Sequence, residues 1–360
     1  MLNKKIDKIN IKHRNIYQNN KYIMSKLNNK NTKSLSEDSD EKNKEPVKKK
    51  LLHKYLVKDN KKDDNKNDKK DDKKDDNKED KIKFIDLFCG IGSFHYSFKK
   101  NGWECVMACD IAQAARNTYN ENYKLMPLKD VCEIEPKNVE NYDILCAGFP
   151  CQPFSQAGKH LGFDDERGTM FAQVMKFVKY HKPKVIVLEN VQGLLNHDSG
   201  KTFKKIQADI KNADYNITYK VIKCSDYGIP QMRKRLLIVG VKKDIKIKGN
   251  IDDIFNLKKY EKNITLSKYM NKNFEKDMAY TIRCGGKRSP INDKHNWDGY
   301  IVDDEEYRLT IADALKLQGF SQNFKLCGSE SEKWKLLGNT IPTIFTEIIG
   351  KQINDIVSLI

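Results

Sequence analysis

After residue 80 the chain settles into a repeating pattern of short apolar runs separated by longer amphipathic stretches. The runs are "KFIDLF", "ECVMACD", "YDILCAG", "KVIVLEN", "ITYKVIKC" and "RLLIVGV". Most are continuously apolar and do not alternate with polar residues, which is what strands need when a sheet is covered on both faces. The intervening stretches predict helices over roughly 93–101, 111–122, 166–181 and 202–213, with a last one over 343–358. Strands alternating with helices in this way predict a doubly wound α/β domain. The pattern dissolves between 241 and about 307 into a basic, irregular stretch, read as a small separate module, and returns over 308–360. Residues 1–80 carry almost no apolar periodicity. They are rich in Lys, Asn and Asp, end in "KKDDNKNDKKDDKKDDNKED", and are expected to be disordered, with "VKKKLLHKYLV" at most transiently helical. The expected organisation is therefore a tail (1–80), a catalytic and ligand-binding domain (81–240), a small region (241–307) and a return to the first domain (308–360).

Charge sharpens this picture. The chain has 67 Lys+Arg against 50 Asp+Glu, net +17. The tail holds 24 and 16 of these, so the part expected to fold remains net +9 on its own. A basic folded domain suits a phosphate-backbone partner, although solubility and a lysine-rich composition give the same sign. All nine cysteines lie after residue 88 with no C-x-x-C pair, so no metal site is expected and the thiols are read as free. No signal peptide or membrane-spanning run is seen, and a reducing, intracellular compartment is expected.

Candidate chemistry gathers where the apolar runs end. "DLFCGIGSF" places Gly90 and Gly92 at a strand-to-helix turn, and Asp110 follows at the end of the second strand, where an acid commonly accepts from ribose hydroxyls. The third glycine of a dinucleotide fingerprint would fall at His95, so an adenosine-type ligand is favoured over a dinucleotide. A glycine turn with a solvated aspartate is the plainer alternative. "GFPCQPFSQAG" then sets Cys151 between Pro150 and Pro153, in a loop that must leave regular structure, as either a packed small hydrophobe or a presented nucleophile. Glu189 and Asn190 close the next strand, and "QMRKR" offers Gln231, Arg233 and Arg235. Arginines two apart on extended chain share one face.

Taken in order, "DLFCGIGSF", "GFPCQPFS", "ENV", "QMRKR", "RLTIADALKLQGF" and "LLGNTIPTIFTEIIG" resemble the motifs of the DNA (cytosine-5) methyltransferases, over about residues 83–358. The resemblance implies a class I methyltransferase sheet, S-adenosylmethionine as cofactor and double-stranded DNA as partner. It implies Cys151 as nucleophile at carbon 6 of a flipped cytosine, Glu189 at the N3 edge, Arg235 on the base carbonyl, and Arg233 near the cysteine and a phosphate. Gln152 and Ser155 match positions near the flipped nucleotide. For the cofactor it implies Phe88, Gly90, Gly92, Asp110, Ile111, Asp130, Val131, Pro150 and Asn339, the last requiring the final helix to pack back against the first strand. Asp110 stands where glutamate is more usual and Ser93 where glycine is frequent.

About 65 residues remain for target recognition, enough for a short site of roughly four base pairs or fewer. Within "TIRCGGKRSPINDKHNWDGY", Arg283, Lys287, Arg288, His295 and Asn296 are the candidates for the major groove. The chain is expected to act as a monomer, and the resemblance is compatible with a cognate restriction endonuclease for the same site. Methylation of tRNA by the same chemistry is disfavoured, because the Cys-Phe-Thr signature of that branch is absent. A DNA-binding protein that has lost catalysis is disfavoured by the intact Cys151, Glu189, Arg233 and Arg235. A nicotinamide dehydrogenase is disfavoured by His95.

Overall fold

The computed structural model describes residues 81–150, 170–260, 264–285 and 288–359. Cys151, Gln152, Ser155, Lys287, the tail 1–80 and the start of the helix expected at 166 lie outside the described residues.

Six strands form the central sheet: β1 (Lys83–Leu87), β2 (Glu104–Cys109), β3 (Ile144–Ala147), β4 (Val185–Asn190), β5 (Tyr215–Lys223) and β6 (Lys234–Lys242), in the order β2-β1-β3-β4-β6-β5. The first four are parallel, and β6 runs antiparallel to both β4 and β5. No helix long enough for a crossover fits between Lys223 and Lys234, so β5 and β6 must pair antiparallel. α1 (Ser93–Phe98), α2 (Gln113–Tyr123), α3 (Met170–His181) and α4 (Lys201–Asn212) follow their strands as the periodicity predicts.

The continuous apolar runs have a direct explanation. Ile85, Leu87, Leu145, Ala147, Ile186, Leu188 and Ile238 face α3 and α4, which contribute Phe171, Phe177, Phe203 and Ile206. Their neighbours Phe84, Ile144, Cys146, Val185, Val187, Leu237 and Val239 face the opposite layer, which contains Phe94 and Phe98 of α1. With successive side chains pointing to opposite faces, both faces are sealed only if every position is apolar. Asp86 breaks this rule. It sits mid-run on β1, 1% exposed.

The remaining elements are α5 (Leu266–Met270), a hairpin of β7 (Gly299–Val302) and β8 (Glu305–Arg308), α6 (Ile311–Leu317), α7 (Glu330–Asn339) and α8 (Thr343–Ile356). α6 and α7 start at capping boxes, Thr310 with Asp313 and Ser329 with Glu332. Phe345, Ile349 and Ile353 of α8 join the core layer of Phe84 and lie against α1. The stretch assigned to target recognition shares its packing on both sides. Ile254 and Phe255 enter the core beneath the sheet. Leu266, Ile282, Trp297 and Tyr300 form one cluster with Leu315, Leu317, Trp334 and Leu337. Among the described residues no helix is long and apolar enough to cross a membrane.

Candidate active site

β1 leads to β2 on one side, and the chain then crosses to β3 on the other, so the crevice beyond the carboxyl ends of β1 and β3 is the switch point where ligands bind in open α/β sheets. A recess opens there. Asp86, Phe88, Gly90 and Ser93 line it from the first strand-turn-helix, Gly148 from the end of β3, Glu189 from β4 and Asn339 from the end of α7.

Phe88, Gly90 and Gly92 all hold positive φ, at 57°, 54° and 84°. The two glycines serve different needs. A Cβ on Gly90 would meet nothing within 4 Å, so its bare backbone borders open space. A Cβ on Gly92 would lie 2.4–2.9 Å from the rings of Tyr123 and Tyr119. Gly92 therefore answers to packing from behind, where Tyr123 also donates its hydroxyl to the Gly92 carbonyl at 2.8 Å. His95 completes that support. It stacks on Tyr123 at 4.1 Å and pairs with the Tyr119 hydroxyl at 2.8 Å. Burial, with Lys99 nearby, drives its pKa down to about 4, so the ring is neutral. No motif marks the α2 tyrosines as the brace of this turn.

Asp110 ties the turn to β2: one carboxylate oxygen accepts from Gly90 N and the other from Ala112 N, both at 2.8 Å. Burial raises its pKa, opposed by those two amides and by Arg116. Ile111 beside it is 68% exposed, an apolar side chain held out beyond the sheet edge. Asp130 caps the short turn that follows, accepting from Cys132 N at 2.9 Å, and Val131 is buried. Ser93, where glycine is frequent, has its own use. Its hydroxyl donates to the Ile341 carbonyl at 2.6 Å and holds the Asn339–Ile341 segment over the recess. Thr346 of α8 donates back to the Ser93 carbonyl. The final helix thus docks on α1, in the layer shared with β1.

Asp86 carries no assigned role from sequence, although a lone acid in an apolar strand is a visible signal. Both of its carboxylate oxygens are buried without a hydrogen-bond partner among the described residues. Burial, with Asp110 adding to it, raises its pKa well above the ordinary 3.8. A buried acid with open acceptors at the floor of a recess is a receptor for a cationic or hydrogen-donating group.

At the rim, Glu189 Oε1 meets Arg235 Nε at 2.8 Å. Burial raises the Glu189 pKa while Arg235 and Arg233 pull it down. A carboxyl raised by burial and steadied by an arginine is suited to holding a proton and passing it to a base. Asn190 donates to the Phe149 carbonyl at 2.9 Å, fixing the chain just before Pro150, which is exposed. Gln231, Arg233 and Arg235 do share one face: the first two are fully buried, Met232 and Lys234 between them are exposed. The two arginines nevertheless diverge. Arg235 stays at the rim. Arg233 spends its Nη atoms on the carbonyls of Ile282, Gly338 and Thr340 at 2.7–2.9 Å, so its Nη groups are directed into the protein.

In the stretch expected to read DNA, Arg283 and Arg288 are exposed, and Arg288 sits at φ 69° with its amide donating to Asp298. His295 is exposed and paired with Asp293. Asn296 departs from its expected place in the major groove. It is 5% exposed, and its amide is spent on Ile291 O, Gly299 O and Gly299 N, so it shapes the loop and does not face outward.

This geometry, a glycine turn bordering open space, an acid floor, and a Glu–Arg pair at the next strand end, is what a sheet-edge methyltransferase presents, and similarity to known proteins agrees. Residues 82–301 match the C-5 cytosine-specific DNA methylase family. The chain is 31% identical to the Type II methyltransferase M.DsaV of Dactylococcopsis salina, over 78% of this chain and 88% of that protein. It is 30% identical to M.HhaI of Haemophilus parahaemolyticus, over 72% and 90%. Its fold matches the S. pombe Dnmt2 methyltransferase with a TM-score of 0.61 at 18% identity, over 76% of this chain and 99% of that one. The Entamoeba histolytica methyltransferase EhMeth gives 0.59 at 20%. The chain belongs to the C-5 cytosine-specific DNA methylase family. It is a DNA (cytosine-5-)-methyltransferase.

Proposed function

We propose that the enzyme moves the methyl group of S-adenosylmethionine to carbon 5 of a cytosine flipped out of a short duplex DNA site, through a transient bond to Cys151. The observation that carries this reading is the Glu189–Arg235 pair at the mouth of a recess floored by Asp86.

The recess fits the cofactor. Asp86 offers two open acceptors to its ammonium group, and Asp110, already accepting from Gly90 N and Ala112 N, would use its remaining lone pairs for the ribose hydroxyls. Asn339 lines the recess, and Ile111, Val131 and Asp130, beyond its lining, would serve the adenine end of the cofactor. When bound, S-adenosylmethionine supplies an electrophilic sulfonium methyl group. The protein must make carbon 5 nucleophilic. Cys151 thiolate forms a bond to carbon 6 while the Glu189 carboxyl delivers a proton to N3, which saturates carbon 6 and leaves an enamine of the exocyclic nitrogen, carbon 4 and carbon 5. Arg235, already bonded to Glu189, fixes the carboxyl and would hold the base carbonyl. After transfer, loss of the carbon-5 proton restores the ring double bond, the sulfur leaves, and N3 returns its proton to Glu189. Such chemistry needs an unstacked base, at a cost of a few kcal/mol. Gln152 and Ser155 would flank it, with Arg283, Lys287 and Arg288 toward the duplex and Pro150 on the cofactor side.

The test uses DNA with 5-fluorocytosine at the methylated position, identified by bisulfite sequencing. The wild type should form a denaturation-resistant complex only with S-adenosylmethionine present, because fluorine cannot leave as a proton does. Cys151→Ser should form none and transfer no tritiated methyl. Measurable transfer by Cys151→Ser would end the covalent reading.

A further inference from the structure

Among the described residues Arg233 is the one arginine with no exposure, and the recess chemistry makes no use of its Nη groups. Its guanidinium bridges two segments distant in sequence. Nη1 donates to Ile282 O at 2.9 Å, directly before Arg283 of the recognition stretch. Nη2 donates to Gly338 O at 2.8 Å and Thr340 O at 2.7 Å, the two carbonyls flanking Asn339 of the recess. The segments also touch each other. A Cβ on Gly338 would lie 2.5 Å from the carbonyl carbon of Arg283 and from Cys284 N. Cys284 Sγ donates to Asn339 Oδ1 at 2.8 Å. Gln231, equally buried, adds a second tie. Its Oε1 accepts from Ile282 N at 3.4 Å and its Nε2 donates to Leu317 O at 2.8 Å.

We infer that Arg233 is a positioning residue that couples occupancy of the cofactor recess to discrimination between DNA sequences. The reasoning is mechanical and rests on the function proposed above. A guanidinium is a rigid plane with its donors in fixed directions. Any displacement of Asn339 as it engages a ligand moves the two carbonyls beside it. Arg233 cannot follow both without tilting, and its third contact carries that tilt to Ile282 and so to Arg283. A lysine ammonium at the same place is a point charge and cannot hold three carbonyls on two segments in one geometry. Arg233 acts through Asn339 and Arg283 and needs no contact with base or cofactor.

Coupling is reciprocal, so it can be measured as a ratio free of absolute affinities. With the full chain, dissociation constants are taken for a duplex carrying the recognised site and for a scrambled duplex, each with and without S-adenosylhomocysteine. The wild type should discriminate about tenfold better with S-adenosylhomocysteine bound, within the usual 5–150-fold range for coupled sites. Arg233→Lys should bring that factor below about threefold while both ligands still bind. If Arg233→Lys does not fold, Cys284→Ala, at an exposed position, decides: a factor cut at least threefold supports the inference. An unchanged factor in the variant measured, or a factor of one in a wild type that methylates DNA, overturns it. A wild type that transfers no methyl group would instead remove the reading of the recess itself.

Discussion

At the carboxyl ends of β1 and β4, buried acids are left with hydrogen-bonding capacity to spare, whereas between Arg288 and Arg308 nearly every buried polar group is spent on the loop that carries it. Asp86 has no partner among the described residues and Glu189 only a rim arginine. Asp298, fully buried, accepts from Arg288 N and meets Arg308, which also holds the Ser289 carbonyl. Asn296 is spent three times over. The difference follows from what lies beneath. A sheet sealed on both faces holds its strand ends in place without help, so side chains there can wait for a ligand. An irregular stretch must use its own polar groups to fix its backbone before any arginine can be presented.

The contrast can be broken at several points, taken from the largest expected effect to the smallest. Glu189→Gln should lower the turnover number roughly 10²–10⁴-fold, the usual worth of a positioned proton donor. Affinity for S-adenosylhomocysteine should barely change. Because burial raises the Glu189 pKa, the wild-type rate should fall as pH rises past it, and the residual rate of Glu189→Gln should lack that limb. A Gln variant that loses cofactor affinity instead would make Glu189 part of the scaffold.

Asp298→Asn should cost about 1–3 kcal/mol of stability through weakened bonds to Arg288 and Arg308, read by denaturant unfolding. It should also blur discrimination between the recognised site and its single-base variants by roughly tenfold, with cofactor binding intact. Intact discrimination would mean that the loop is fixed elsewhere.

Asp86→Asn should do the opposite in the free enzyme. The folded-state pKa of Asp86 lies above its unfolded value near 3.8, so its contribution is fully present below that pH. It is lost as pH rises toward the folded value. Replacing the ionisable carboxyl should therefore raise the unfolding temperature at neutral pH, by about 2–4 °C for each kcal/mol recovered, and flatten its dependence on pH above 4. S-adenosylmethionine should bind less tightly. A lowered unfolding temperature would show that Asp86 has a stabilising partner. The smallest effect is expected for a chain beginning at Lys81: unchanged turnover at low salt, with a modestly weaker and less salt-dependent grip on DNA.

Much of this architecture is legible in the amino-acid order itself. Continuous apolar runs announce the two-sided sheet, and ordered motifs mark the glycine turn, Glu189 and Arg235. The features that escape have no local signature. The direction of β6 depends on which strand it joins. Asn296 and Arg233 look outward in a sequence, because Asn and Arg usually are exposed. Only the fold reveals which carbonyls need them. Asp86 is a different case: its acid stands out from the apolar run, but only the burial of both oxygens without partners gives it a role.

The bond from Ser93 to Ile341 spans 248 residues of chain. At a synthesis rate of roughly 5–20 residues per second, that distance is about 12 to 50 seconds of ribosome time. Throughout that interval the glycine turn has emerged while the segment that roofs it has not yet been made. A nascent chain therefore carries the first half of a methyltransferase without a closed recess, and competence to modify DNA arrives late, with the docking of α8 on α1.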